Sequence, residues 1–240
     1  MPRGSEPPRP IARPCGPALA RAVFNRLALA LTVLMPACLG AIACAASLAV
    51  AVRLPDGRAL PGVVVTVQPL DSPARPSPPV EAVMDQIDLA FSPDLLVIPV
   101  GSTVTFPNSD RTSHQVYSFS PAHKFQLPLY RGKPRAPEHF DRVGLVTLGC
   151  NIHDNMLAYI VVTDAAYFGR TNAAGVWTQN SVQRGRYRVA LWYPRLRDGQ
   201  SALQREVTVG DGERAEVNFR LEKSLRPAPL EKRPHSWDAY

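Results

Sequence analysis

The stretch Gly149-Cys150-Asn151-Ile152-His153-Asp154-Asn155-Met156 places a thiolate, an imidazole and a thioether within seven residues. For all three to meet at one point, the chain must reverse sharply between two extended segments, and the flanks have that composition. Leu145 to Leu148 and Leu157 to Val162 are mostly apolar or β-branched, the residues that fit a pleated surface. Cys150 therefore ends one expected strand and Met156 begins the next. Thiolate, imidazole and thioether are soft or borderline ligands of the kind that suit copper. With four Cys, five His and four Met in 240 residues, chance gives this spacing with odds on the order of one in a thousand.

The rest of the chain reads as all-β. Residues 82–162 alternate strand-like runs with turn signals: Leu95 to Val100, Gly101-Ser102, Thr103 to Phe106, the polar turn Pro107-Asn108-Ser109-Asp110, and a run opened by His114. Residues 121–139 carry four prolines and are expected to form an irregular excursion. Residues 48–68 hold two β-rich runs around Pro55-Asp56-Gly57, expected to pair as a hairpin. A lone hairpin is marginal in water, so it needs partners. Residues 71–79 are too rich in proline to supply them, whereas residues 163–222 repeat the strand-and-turn pattern, strongest at Tyr187 to Trp192. After Lys223 proline and charge dominate, and residues 223–240 are expected to be an unstructured tail.

Charge bears on partners. The net charge is +7, but five of the 27 basic residues and one of the 20 acidic ones precede residue 47, leaving 22 against 19, about +3. That is too little for a nucleic-acid binder that neutralises many phosphates. Arg21 and Arg26 precede the apolar run Leu27 to Cys44, which contains Pro36 and Gly40 and ends in Ala45-Ala46. Residues 1–46 thus read as an export signal, the alternatives being a membrane anchor of roughly 20 apolar residues or lipidation at Cys38 or Cys44. The residues before Leu27 are long and proline-rich for such a signal, as though translation starts later, near Val23. The expected location is the periplasm, with no membrane span after cleavage. Removal of Cys15, Cys38 and Cys44 leaves Cys150 alone, and a bound metal would protect it from oxidative pairing.

A second imidazole must come from outside the loop: His114, His123, His139 or His235. His235 lies in the tail; His123 and His139, in the proline-rich excursion, are expected to be solvated. His114 is the choice, at the head of a strand six residues beyond Asn108.

The segments FPNSDRTSHQVYSFS and GLVTLGCNIHDNMLAYIVV resemble the metal-binding segments of cupredoxins, the loop being similar in length to that of amicyanin. Residues 84–162 resemble plastocyanin-like proteins labelled as methylamine utilisation proteins. That resemblance implies a Greek-key domain over residues 80–162 holding one type 1 copper ion, with Cys150 as thiolate, His114 and His153 as equatorial imidazoles and Met156 as axial ligand. It implies that Asn108 lies beside the ligands, its backbone N–H pointing at the Cys150 sulfur and its side chain tying the loops together. The loop departs from amicyanin in that Asp154-Asn155, with no proline, follow His153; the carboxylate is expected to alter partner docking and to raise the proton affinity of His153 in the reduced state, which a pH-dependent midpoint potential would show. Asp56-Gly57, Thr171 with Gly175, and Gly185 with Tyr187 and Val189 resemble the small β-sandwich of carboxypeptidase-regulatory or transthyretin-like domains, implying a second body from residues 47–70 and 163–222, split by the first.

The resemblance implies a monomeric carrier of single electrons, not an enzyme, working between a donor dehydrogenase and a cytochrome or similar acceptor. Two alternatives remain: a copper-delivery module, and a surface-binding β-protein in which the cupredoxin part is inert. A multicopper oxidase is disfavoured, because the few histidines and single cysteine cannot also furnish a trinuclear cluster.

Overall fold

The computed structural model describes residues 46–134, 136–196 and 203–227. All of the expected export signal except its last residue, Ala46, which begins the first strand, lies outside them, as do Cys15, Cys38, Cys44 and His235. Every regular element is a strand: β1 (Ala46–Arg53), β2 (Val64–Pro69), β3 (Glu81–Val83), β4 (Asp85–Ile87), β5 (Ala90–Ser92), β6 (Leu95–Pro99), β7 (Ser102–Thr105), β8 (Tyr117–Ser120), β9 (His123–Gln126), β10 (Glu138–Phe140), β11 (Gly144–Gly149), β12 (Leu157–Thr163), β13 (Tyr167–Arg170), β14 (Val176–Val182), β15 (Gly185–Trp192), β16 (Gln204–Val209) and β17 (Arg214–Arg220). Among the described residues, no helix is long and apolar enough to cross a membrane.

The expected hairpin over residues 48–68 does not form. The Pro55-Asp56-Gly57 turn is present, with Gly57 at φ +89°, where glycine is free of a side-chain clash, and Gly57 N–H bonded to Leu54 C=O. Pairing stops at the single bridge Arg53↔Ala59, and Pro61-Gly62 then redirects the chain. β1 instead lies between β14 and β17, antiparallel to the first and parallel to the second. β2 lies in a different sheet, of order β13-β2-β15-β16.

These two sheets share one apolar cluster, with Leu48, Val50 and Val52 from β1, Val65 and Val67 from β2, Val189 and Leu191 from β15, and Val217 and Phe219 from β17. The alternating burial along β17, exposed at Arg214 and buried at Ala215, is the period-2 pattern of a strand with one wet face. Thr171 fastens the crossing chain. Its buried hydroxyl donates to Leu60 C=O at 2.8 Å and accepts from Val63 N–H at 3.0 Å. Residues 223–227, expected to be unstructured, begin by packing here: Leu225 lies against the cluster and Arg226 N–H donates to Arg195 C=O.

Tyr187 gives this core an alkaline limit. Its ring is buried and its hydroxyl donates to Gln183 C=O at 2.7 Å. Burial, and then the neighbouring Tyr167, push its pKa up to about 12 from the usual 10. The folded chain thus holds the phenol proton more tightly than the unfolded chain. That contribution is fully present below pH 10 and lost as pH rises from about 10 to about 12. The urea midpoint should therefore fall steeply across that interval. Tyr187→Phe should make the fall shallower while costing about 1 kcal/mol at neutral pH for the lost hydrogen bond.

The middle of the chain builds three further sheets: β6-β12-β11-β8-β9, β10-β7-β3 and β4-β5. Met84, Phe91, Ile98, Val104, Phe106, Phe140, Val146, Leu148 and Ile160 form its core, together with Cys150 and Met156. β11 and β12 pair antiparallel from Gly144↔Val162 to Gly149↔Leu157, so the segment between them is held at both ends by a regular ladder. Proline does not keep residues 121–139 irregular throughout, since β9 and the start of β10 fall there. This part touches the other through the rings of Tyr159 and Trp192, 5.3 Å apart, and through Arg170 Nη1, which donates to Leu95 C=O at 3.2 Å.

Candidate metal centre

Cys150 follows the last residue of β11, and the loop turns on itself at His153, whose carbonyl accepts Met156 N–H at 3.0 Å. His114 arrives from a different direction. It sits in a two-bond bridge with Tyr130, beyond the 107–112 turn. The two imidazoles meet with Nδ1 atoms 3.1 Å apart, and the Cys150 sulfur lies 3.9 Å from His114 Nδ1 and 4.0 Å from His153 Nδ1.

These distances can be compared with what a metal requires. Bonds of about 2.0 Å to nitrogen and about 2.3 Å to sulfur set trigonal edges of roughly 3.5 Å between nitrogens and roughly 3.7 Å between nitrogen and sulfur. The observed edges of 3.1, 3.9 and 4.0 Å lie within half an ångström of that triangle. Two imidazoles and a thiolate are also a donor set that suits copper. Met156 is 2% exposed and belongs to the apolar cluster that contains Cys150, so its thioether is kept from water at the loop's end.

The centre is graded in exposure. His114 is fully buried and Cys150 is 4% exposed, whereas His153 keeps an edge in solvent. Burial first, and then the facing His114 ring, hold the His153 pKa below its usual value; Asp110 opposes them. Asp154 is exposed and is not among these influences, which in the metal-free chain disfavour a proton on His153.

Asn108 ties the loops together but not through sulfur. Its side-chain amide donates to Thr112 C=O at 3.0 Å and to Tyr130 C=O at 2.8 Å, and its Oδ1 accepts Asp110 N–H at 3.0 Å. The expectation for its backbone fails, because Asn108 N–H donates to Gly132 C=O at 2.7 Å in a reciprocal pair and is not directed at Cys150. Tyr130 is clamped from below: its hydroxyl donates to Phe106 C=O and accepts Gln86 Nε2–H at 2.6 Å. Burial above all pushes its pKa up to about 12, with the charges of Asp85 and Cys150 adding to the rise against the Gln86 hydrogen bond.

The sequence reading missed Asp110. Its carboxylate lies 2.7 Å from His114 Nε2, on the side of the ring away from the cluster. Partial burial would raise its pKa, but hydrogen bonds from Leu89 N–H, His114 and Asp88 N–H outweigh it and hold the carboxyl below its usual range. The available signal was an acidic residue four positions before a ligand-type histidine. His123 also departs from expectation: it is partly buried against Phe125 and Phe140, with Nε2 3.1 Å from Glu138 Oε2, while His139 is exposed. Neither belongs to the three-residue cluster.

No family profile matches the chain, and no curated protein does. Several solved structures are similar to it. A purple cupredoxin from Nitrosopumilus maritimus shares 26% identity over 34% of this chain and 99% of its own, with a TM-score of 0.31. A copper-containing nitrite reductase from Thermus scotoductus shares 26% identity over 40% of this chain but 25% of its own, with a TM-score of 0.33. An amicyanin in its reduced Cu(I) form shares 23% identity over 35% of this chain and 82% of its own, with a TM-score of 0.32. Over about a third of its length, this all-β chain is similar to cupredoxins.

Proposed function

We propose that the chain is a type 1 copper protein that carries single electrons and performs no chemistry of its own on a substrate. The observation that carries this reading is the convergence of His114 and His153 Nδ1 with the Cys150 sulfur, from two distant parts of the chain, at edges of 3.1 to 4.0 Å. In this reading His114, His153, Cys150 and Met156 would hold one copper ion, the two imidazoles and the thiolate as the principal ligands and the thioether as a weaker fourth. Copper in such a site supplies a Cu(I)/Cu(II) couple.

The surrounding residues suit that task. Cys150 is the free cysteine among the described residues and is buried, which limits its oxidation and its pairing with other chains. The regular β11–β12 ladder holds the loop at both ends, so the ligands need move little between oxidation states. His153 has the exposed edge and is the expected point of electron exchange with a redox protein, a dehydrogenase on one side and a cytochrome or similar acceptor on the other. A buried thiolate suits retention of the metal better than delivery. The proposed location is the periplasm and the proposed state a monomer.

The test is to add one equivalent of Cu(II) to the metal-free chain. An intense visible thiolate-to-copper band with reversible voltammetry is expected. Absence of the band would overturn the copper centre, and copper transfer to an acceptor protein without electron exchange would assign delivery instead.

A further inference from the structure

A ligand histidine must present one ring nitrogen as a lone pair, so the proton on its other nitrogen needs a fixed acceptor. For His114 that acceptor is Asp110 Oδ2, 2.7 Å from Nε2. Asp110 is itself held from the far side. Its Oδ1 accepts Asp88 N–H at 2.7 Å, and its Oδ2 also accepts Leu89 N–H at 3.0 Å.

Asp88 and Leu89 are the two residues between the paired strands β4 and β5, and both have positive φ, 53° and 59°. Two-residue hairpins of this kind favour Asn-Gly, because the left-handed region is unfavourable for a residue such as leucine. In this turn the two successive N–H groups converge on one carboxylate, the concave arrangement that binds anions. The uncommon backbone at Leu89 and the orientation of Asp110 therefore support one another. His114, fully buried, receives the result.

We propose that the Asp88-Leu89 turn and Asp110 form a positioning relay that fixes His114 as its Nε2–H tautomer and reserves Nδ1 for the metal. Asp110 touches no metal and acts through His114. Its consequence for copper rests on the function proposed above, whereas the tautomer does not.

The experiment is a nitrogen-15 NMR measurement of the histidine rings in the metal-free chain at neutral pH, beside Cu(II) titration against a competing chelator. In the unaltered chain His114 should carry its proton on Nε2. Asp110→Ala should populate the Nδ1–H tautomer and weaken Cu(II) binding by about 10–100-fold, the range for removing such a supporting partner. Asp110→Asn, which keeps an acceptor oxygen, should recover most of the tautomer preference. An Nδ1–H tautomer in the unaltered chain, which requires no variant, overturns the relay. So does an Asp110→Ala chain with tautomer and affinity unchanged. If the tautomer behaves as stated but no copper binds, the relay stands and the copper reading falls.

Discussion

Replacing Cys150 with serine is expected to abolish the visible charge-transfer band of the copper-loaded chain and to weaken copper binding more than 100-fold. Loss of a supporting partner outside the ligand set already costs about 10–100-fold in affinity, and here a ligand itself is lost. Serine is close to cysteine in size, but with the ring nitrogens of His114 and His153 at 3.9 and 4.0 Å from the sulfur its hydroxyl, on a shorter bond, is out of hydrogen-bonding reach of either. The buried hydroxyl costs about 1–3 kcal/mol, less than the stability of a typical domain, so the far-ultraviolet circular dichroism spectrum should be unchanged while the urea midpoint falls. Optical titration with Cu(II), run on both chains, checks this. A serine chain that retained the intense band would remove sulfur from the ligand set.

The second large effect lies far from the metal centre. Gly175 has φ +70°, and a Cβ there would sit 2.6 Å from the backbone oxygen of Val52 and 2.8 Å from the backbone nitrogen of Leu60. Neither neighbour can swing aside, since Val52 lies in β1 and Leu60 N–H is bonded back to Val52 C=O. Gly175→Ala combines a left-handed alanine, at about 1–2 kcal/mol, with overpacking, at about 1–3 kcal/mol. The expected loss of about 2–5 kcal/mol is a large part of the 5–15 kcal/mol typical of a domain. Urea unfolding followed by tryptophan fluorescence should show it, because Trp177 lies two residues away in the same core cluster. An unchanged midpoint would mean that the turn relaxes without cost.

Local pattern made much of this molecule legible. Val146, Leu148, Ala158, Ile160 and Val162 alternate inward along β11 and β12, so the strands bracketing Cys150 and Met156 could be read from period 2 alone. His114 was legible because its distance from Asn108 and the polar turn before it left few rivals. Pairing was less so. Pro55-Asp56-Gly57 is a sound turn signal and forms, yet it cannot state that Pro61-Gly62 will then send the chain to another sheet. Asp110 escaped because its role depends on Asp88 and Leu89, about 20 residues earlier, returning to its carboxylate. The Asn108 backbone escaped for the same reason: its partner, Gly132, arrives by way of residues with no clear pattern of their own.

β2 and β13 are antiparallel neighbours, with Tyr167 opposite Val67 and Arg170 opposite Val64. The outgoing and returning ends of residues 70–166 consequently stand side by side, as the two stems of a hairpin do. That whole segment occupies the place of a turn, and after excision of residues 68–166 a two-residue Asn-Gly link would join Val67 to Tyr167, its antiparallel partner.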